Sequence, residues 1–329
     1  MSFLFRALLA GFASIFVFGV SGFCGLAEKP QEQDSLETAF NALESQYLIL
    51  GRLKYCIKYK KTWERNGDEL LKFYSSIPNY PPEDLAKMPL KRPILVVYCA
   101  GYFQKDSIAD HYIESTVDNG VEKIQKNIKY FFDGSMSHYL SFPPCNTIQD
   151  ALADKRLPSA ERREKGRGWG YPEGEGAPID VLTKFLGFGG GAKQSLDVRM
   201  RTFFGRAKKI SVINTKDRLI EVTAEFPNKD LVRYTFDLNK GGMISEWTSK
   251  TAANTTSVVK FNYIESAQGE LKAFLPKRID AKTSFVDNGG EHLMSHKVCE
   301  FIVMKLKDFN IKSESLDSLC EEISWEGFK

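Results

Sequence analysis

The sequence predicts an α+β protein: an antiparallel meander sheet, one helix ahead of it, and a long insertion in the middle. Three observations predict this. Seven segments after Asp197 alternate apolar and polar residues between short turns, and Ser35 to Leu50 sets its apolar residues three and four apart. Between Thr147 and Leu196 the composition shifts to charge and glycine, which reads as an insertion between two halves of the sheet.

The first segment is an address and not an element. Arg6 is the only charge before an apolar run from Ala7 to Val20, which is shorter than the ~20 residues of a bilayer span. Gly25 and Ala27 sit at the spacing a signal peptidase reads, so residues 1–27 are expected to be a signal peptide, with the mature chain beginning near Glu28. Cys24 follows Phe23 where a lipoprotein signal needs a small residue, which disfavours lipidation there.

Leu36, Ala39, Phe40, Leu43, Tyr47 and Leu50 then form the apolar stripe of a helix, with Asp34 or Ser35 as N-cap and Gly51 as its end. In LKYCIKYKKTWERNGDELLKFYSS the period becomes two, and Asn66-Gly67 is the natural turn of a hairpin. A proline-rich connection over 78–93 leads to the strand PILVVYCAGYFQ. KNIKYFFDGSMSHYLSF is a second hairpin, turning at Asp133-Gly134. The insertion, 147–196, carries the charged stretch KRLPSAERREKGRGWGYPEGEGAP, a short helix around IDVLTKFL, and the glycine run of 187–191. Beyond it KKISVINT, RLIEVTAEF, LVRYTFDL, MISEWTSK, SVVKFNYIE, LPKRIDAKTSF and KVCEFIVMKLKDF read as consecutive strands.

The opening helix from Ser35 to Leu50, the hairpin NIKYFFDGSMSHYLSF, and RYTFDLNKGGMISEWTSK running into VVKFNYIE and FLPKRIDAKTSF resemble the superfamily of periplasmic outer-membrane lipoprotein carriers and sigma-factor regulatory sensors. The resemblance covers most of the mature chain in outline and contains no catalytic signature. It implies that the meander curls into a half-barrel around an apolar cavity, in a single domain over 28–329. It carries no ligand-contacting residue across.

Composition narrows the function classes. With 329 residues, 43% hydrophobic and 26% charged, the chain is neither disordered nor a disulfide miniprotein. A net charge of +3 argues against dedicated nucleic-acid binding, which concentrates positive charge on one face. Removal of Cys24 with the signal leaves five of the six cysteines, an odd set; Cys56 and Cys99, on neighbouring strands, read equally as buried thiols or as partners.

Chemical motifs are weaker than their bland alternatives. In GFGGGAK, Ala192 precedes Lys193 and Gln194 follows it, which breaks the phosphate-loop pattern. His292, His296 and Cys299 have zinc-like spacing for a helix, but their segment alternates as a strand and sends His296 and Cys299 to opposite faces. His111 and His138 lack any nucleophile signature, and spacing alone cannot make Glu173, Glu175 and Asp180 an acid–base pair. Lys155, Arg156, Arg162, Arg163, Lys165 and Arg167, followed by Trp169 and Tyr171, read as a solvated loop, with anionic lipid contact as the alternative. Asn254-Thr255-Thr256 is a glycosylation sequon in a turn, meaningful only in a eukaryotic secretory host.

The expectation is therefore an exported, non-catalytic binding protein that holds an apolar or amphiphilic ligand, a lipid or lipoprotein acyl chain, in its curved sheet; the alternative is an envelope scaffold that binds another protein. No cofactor, metal, nucleic-acid partner or mature transmembrane span is expected. Candidate cavity residues are Tyr55, Tyr59 and Trp63. Ile179, Leu182, Phe185 and Leu186 are candidate lid residues, because a helix of about two turns between glycines must dock its apolar side on a larger surface.

Overall fold

The computed structural model describes residues 30–50, 52–62, 93–104, 107–152, 157–166, 196–215, 217–268, 271–287 and 290–306, and residues 72, 75 and 83 singly. The expected signal peptide, the Asn66-Gly67 turn, Trp63 and the lid residues Ile179, Leu182, Phe185 and Leu186 lie outside the described residues.

The described chain opens with helix α1 (Pro30–Ile49) and continues through β1 (Arg52–Thr62), β2 (Ile94–Gln104), β3 (Ser107–Asp118), β4 (Val121–Phe132) and β5 (Met136–Phe142). A short helix α2 (Ile148–Leu152), strand β6 (Ala160–Lys165) and helix α3 (Leu196–Phe204) follow. The second run of strands is β7 (Lys209–Asn214), β8 (Leu219–Glu225), β9 (Leu231–Asp237), β10 (Met243–Lys250), β11 (Thr255–Gln268), β12 (Leu271–Asp287) and β13 (Gly290–Leu306). All seven strands expected after Asp197 are present.

Every strand among the described residues belongs to one 13-stranded sheet, in the order β6-β5-β4-β3-β2-β1-β13-β12-β11-β10-β9-β8-β7. It consists of two antiparallel meanders that meet at β1 and β13, with Leu53 opposite Leu306 and Thr62 opposite His296. Sheets of more than ~10 strands curl or split, because each strand is rotated relative to its neighbour. Here the sheet curls and stays open, with β6 and β7 as its two edges, giving the half-barrel.

Local chemistry accounts for the turns. Asn119 and Gly120 both have positive φ, 51° and 80°, the pair of left-handed conformations that a two-residue hairpin between β3 and β4 demands. The Asp133 carboxylate accepts from the N–H groups of Ser135 and Met136, each at 2.7 Å, and closes the β4–β5 turn as anticipated.

Helix α1 lies across the second meander. Its buried Leu36, Phe40 and Leu43 join Phe204 of α3 and Phe236 of β9, with ring centroids 5.3 Å (Phe40–Phe204) and 6.1 Å (Phe40–Phe236) apart. Arg201 of α3 forms a bidentate pair with Glu37 of α1, its second hydrogen bond 2.7 Å long, and its guanidinium stands over the Phe40 ring. The other end of the helix seals a split in the sheet: β12 pairs with β13 only from Arg278 onward, and Leu271–Pro276 pair with β11 alone among the described pairings. Beside that open edge, buried Gln46 donates to the Lys272 carbonyl at 3.4 Å and accepts from the Phe274 N–H at 3.1 Å.

Three expectations are corrected. The helix begins at Pro30, which supplies a preset φ at the first helical position, and so extends beyond the Asp34 or Ser35 cap. The hairpin partner expected for β1 in 68–76 has no place, because β1 is paired on both sides, to β2 and β13, and Lys72 and Ser75 are helical. The charged stretch is not a solvated loop throughout: Ala160–Lys165 form edge strand β6, in register with β5 from Ser141–Ala160 to Met136–Lys165. It has no apolar face, so it gives no hydrophobic alternation, and its charges suit an edge that must not pair further. Helix α3, to which the sequence assigns no element, buries Met200 and Phe204.

Candidate functional site

Opposite pairs in the ladders fix which side chains share the inner face, the one that carries α1 and α3. On β1 these are Leu53, Tyr55, Ile57, Tyr59 and Lys61, and every row across the neighbouring strands follows from that register. The face grades in polarity along the strands. At one end Leu53, Phe103, Ile108 and Phe132 make an apolar row across β1–β4. Deeper rows carry a belt of phenols: Tyr55, Tyr59, Tyr112 and Tyr130, each no more than 1% exposed. The far end is polar, with Glu114 and Lys126 beside one another and Lys61 opposite Lys297.

The centre of this face holds a buried carboxylate. Tyr55 lies across from Gly101, and Gly101 across from Asp110, so the Tyr55 phenol reaches over the glycine and donates to Asp110 Oδ2 at 3.2 Å. Cys99 Sγ is 3.5 Å from the same oxygen, and Asp110 is 0% exposed. The glycine is required there: a Cβ on Gly101 would collide with the Ala109 carbonyl and come within 2.7 Å of the Asp110 Cα. Nearer the polar end, the Tyr112 hydroxyl donates to Glu114 at 2.8 Å, and Lys126 pairs with the same carboxylate at 2.9 Å.

The outer face of the first meander is covered too. Val96, Tyr98, Ile113 and Ile124 pack with Ala151 of α2. Tyr98 donates to Glu122, and burial, then the Glu122 charge and that hydrogen bond, push its phenol up to about 12. His111 Nε2 is 2.6 Å from Asn127 Oδ1, whose amide donates onward to the Ala151 carbonyl, so this histidine serves packing.

Of the sequence candidates, Tyr55 and Tyr59 stand on the inner face as neighbours in one column. Trp63 and the four lid residues are outside the described residues. His296 and Cys299 lie three apart on β13 and so on opposite faces: His296 is 2.8 Å from Asp280, while Cys299 is buried on the inner side against Tyr59 and Ile279. Cys56 and Cys99 stand on adjacent strands without a disulfide between them, and Cys99 pairs with Ile57 and therefore points away from Cys56, which removes that alternative. Asp110, Glu114, Lys61 and Lys297 were missed. Gly101 inside an otherwise apolar strand was the available signal for the first of these, since such a glycine marks a close approach.

No protein-family model matches the chain, and no curated protein matches it. Among solved structures it is similar to a domain named for outer membrane lipoprotein sorting from Vibrio parahaemolyticus, at 6% identity and a TM-score of 0.35, covering 86% of this chain and 96% of that one. A porin-like protein from Bacteroides uniformis matches at 7% identity and a TM-score of 0.26, over 77% of this chain and 96% of that one. Likeness this low carries no argument about chemistry. The site is therefore read from its own residues. Among the described residues no group of three or more His, Cys, Asp or Glu is placed to hold a metal ion, and no helix is long and apolar enough to cross a membrane.

Proposed function

We propose that the chain is an exported, non-catalytic binding protein that holds an apolar or amphiphilic ligand, a lipid or lipoprotein acyl chain, against the inner face of its curved sheet. One observation carries this reading: the face runs unbroken from an aliphatic and phenylalanine end, through a tyrosine belt around Asp110, to a charged end. An apolar surface with a few placed polar groups is the ordinary make-up of a ligand site. Because Tyr55 and Tyr59 are buried, loading a ligand there requires the face to be uncovered first. The same burial favours a second reading, a filled core with function on the outside, as in an envelope scaffold.

Purification of the full chain from an exporting host, followed by lipid extraction and mass spectrometry, separates the two. The expected result is a co-purified acyl lipid near one per protein, on a polypeptide whose intact mass places its N-terminus at Glu28. A lipid-free protein that takes up no fatty acid or phospholipid after partial unfolding and refolding would overturn the carrier reading and favour the scaffold.

A further inference from the structure

We infer that the split between β12 and β13, beside the seam of the two meanders, is the port through which an acyl chain reaches the inner face, and that Gln46 of α1 is its latch. The inference rests on the proposed binding of an apolar ligand and adds its route of entry. The split is built into both strands. Pro276, which has no N–H to offer a further strand, and the extra residue Lys277 stand where β12 parts from β13. Strand β13 carries its own extra residue, Ile302, and from Phe301 to Leu306 pairs with β1 alone among the described pairings.

Past that point the neighbour of β12 is a side chain. Gln46 donates to the Lys272 carbonyl at 3.4 Å and accepts from the Phe274 N–H at 3.1 Å, the two groups flanking Ala273 that one residue of a parallel strand would engage. The β9–β10 turn backs this amide closely, since a Cβ on Gly241 would lie 2.6 Å from Gln46 Cγ and Nε2. Such a closure opens at small cost: withdrawing the last turns of α1 breaks two hydrogen bonds whose groups water can take over, whereas parting two paired strands breaks a ladder. Behind the split lies the apolar half of the inner face, because Phe301 is opposite Ile57 and Met304 opposite Tyr55. In front of it, Leu48 of α1 is 73% exposed, Ile264, opposite Leu275, 43%, and Ile302 39%. Single exposed apolar side chains are ordinary, but three on the elements that frame one opening make a rim suited to an apolar chain.

Stopped-flow mixing of the delipidated full-length mature chain with cis-parinaric acid, a fatty acid that fluoresces on entering an apolar site, tests this. Gln46→Leu is expected to raise the uptake and release rates together by about tenfold, roughly 1.4 kcal/mol, and to leave Kd within about twofold. Leu48→Asp and Ile302→Asp place a charge on the rim at exposed positions and are expected to slow uptake by about fivefold or more. Val121→Asp, 58% exposed at the β3–β4 turn, and Ile213→Asp, 59% exposed on the β7 edge, are expected to leave it unchanged. Rates that Gln46→Leu does not alter, rim variants that act no differently from these two controls, or uptake only after partial unfolding and refolding overturn the port and leave the apolar-ligand reading standing. Should Gln46→Leu not fold, the rim variants decide against the controls. If the parent takes up no parinaric acid by either route, the proposed function fails and this inference with it.

Discussion

Asp280 lies beneath His296 and Arg278 on the outer face of β12 and β13, with Nε2 of His296 at 2.8 Å and the Arg278 guanidinium at 3.1 Å. Burial pushes its carboxyl up, but the hydrogen bonds and positive charge of those two neighbours outweigh that and hold it below its ordinary value of 3.8. A carboxyl with a lowered folded pKa contributes stability above its unfolded pKa, and that contribution is lost as the pH falls through the folded one. Urea unfolding should therefore weaken progressively below about pH 4, and Asp280→Asn should be less stable than the parent near pH 7 with a shallower decline toward pH 2. Identical pH dependence for the two proteins would show that the cluster contributes nothing. At this scale the sequence was only partly informative. It placed Tyr55, Tyr59 and Cys299 on the correct strands, but no spacing rule relates Asp280 to His296 or Lys61 to Lys297. Those pairs exist because a ladder register, with bulges between Cys56 and Ile57 and between Thr283 and Ser284, brings them level.

Helix α1 shows how one element depends on residues far from it. Its apolar stripe was legible in the spacing of Leu36, Phe40 and Leu43, but a helix of this length is held in water chiefly by what its apolar face packs on. That partner is the cluster of Phe204, Tyr234 and Phe236, and the approach is close: a Cβ on Gly242 would come 2.5 Å from the Ala42 Cβ and 2.9 Å from the Leu43 N. Phe40 is 0% exposed, so Phe40→Ala should cost about 3–5 kcal/mol, read as a lowered urea midpoint with strand circular dichroism retained below the transition. A loss under about 1 kcal/mol would mean that the helix is not part of the cooperative core. The elements that escaped the sequence reading each lack a local signal, for different reasons. Strand β3 is buried on both faces over Ser107–Ile113 and includes Asp110 and His111, so neither alternation nor an apolar run marks it. Strand β6 is charged on both faces, and α3 is nine residues long.

Over the whole molecule, the sheet is stitched at its middle by the two strands most distant in sequence. Strand β1 has a partner on each side along almost its full length, whereas β6 and β7 each have one. Hydrogen exchange read by mass spectrometry should thus find the amides of Lys54–Lys60 among the slowest, with those of Ala160–Lys165 exchanging earliest among the strands. Equal protection of β6 and β1 would indicate that the β6 edge is covered by a further chain or segment. Because β1 meets β13 only after nearly all of the chain has been made, the loop-closure entropy of the seam also makes slow folding the expected behaviour.

The sequence by itself determined the α+β class, the leading helix, the hairpin at Asp133-Gly134, and the seven-strand run after Asp197, because periodicity and turn chemistry are local and each is written within about a dozen residues. It could not show that both strand runs belong to one sheet, that β1 is shared between them, or that Tyr55, Gly101 and Asp110 align in a row. Each of these is decided by which strand edges remain unpaired once the local elements exist, and by the register that buries the most apolar surface on the inner face. Backbone pairing is nearly indifferent to sequence, so that choice is made by the sum of contacts over the assembled sheet, and the proposed site at its seam exists only there.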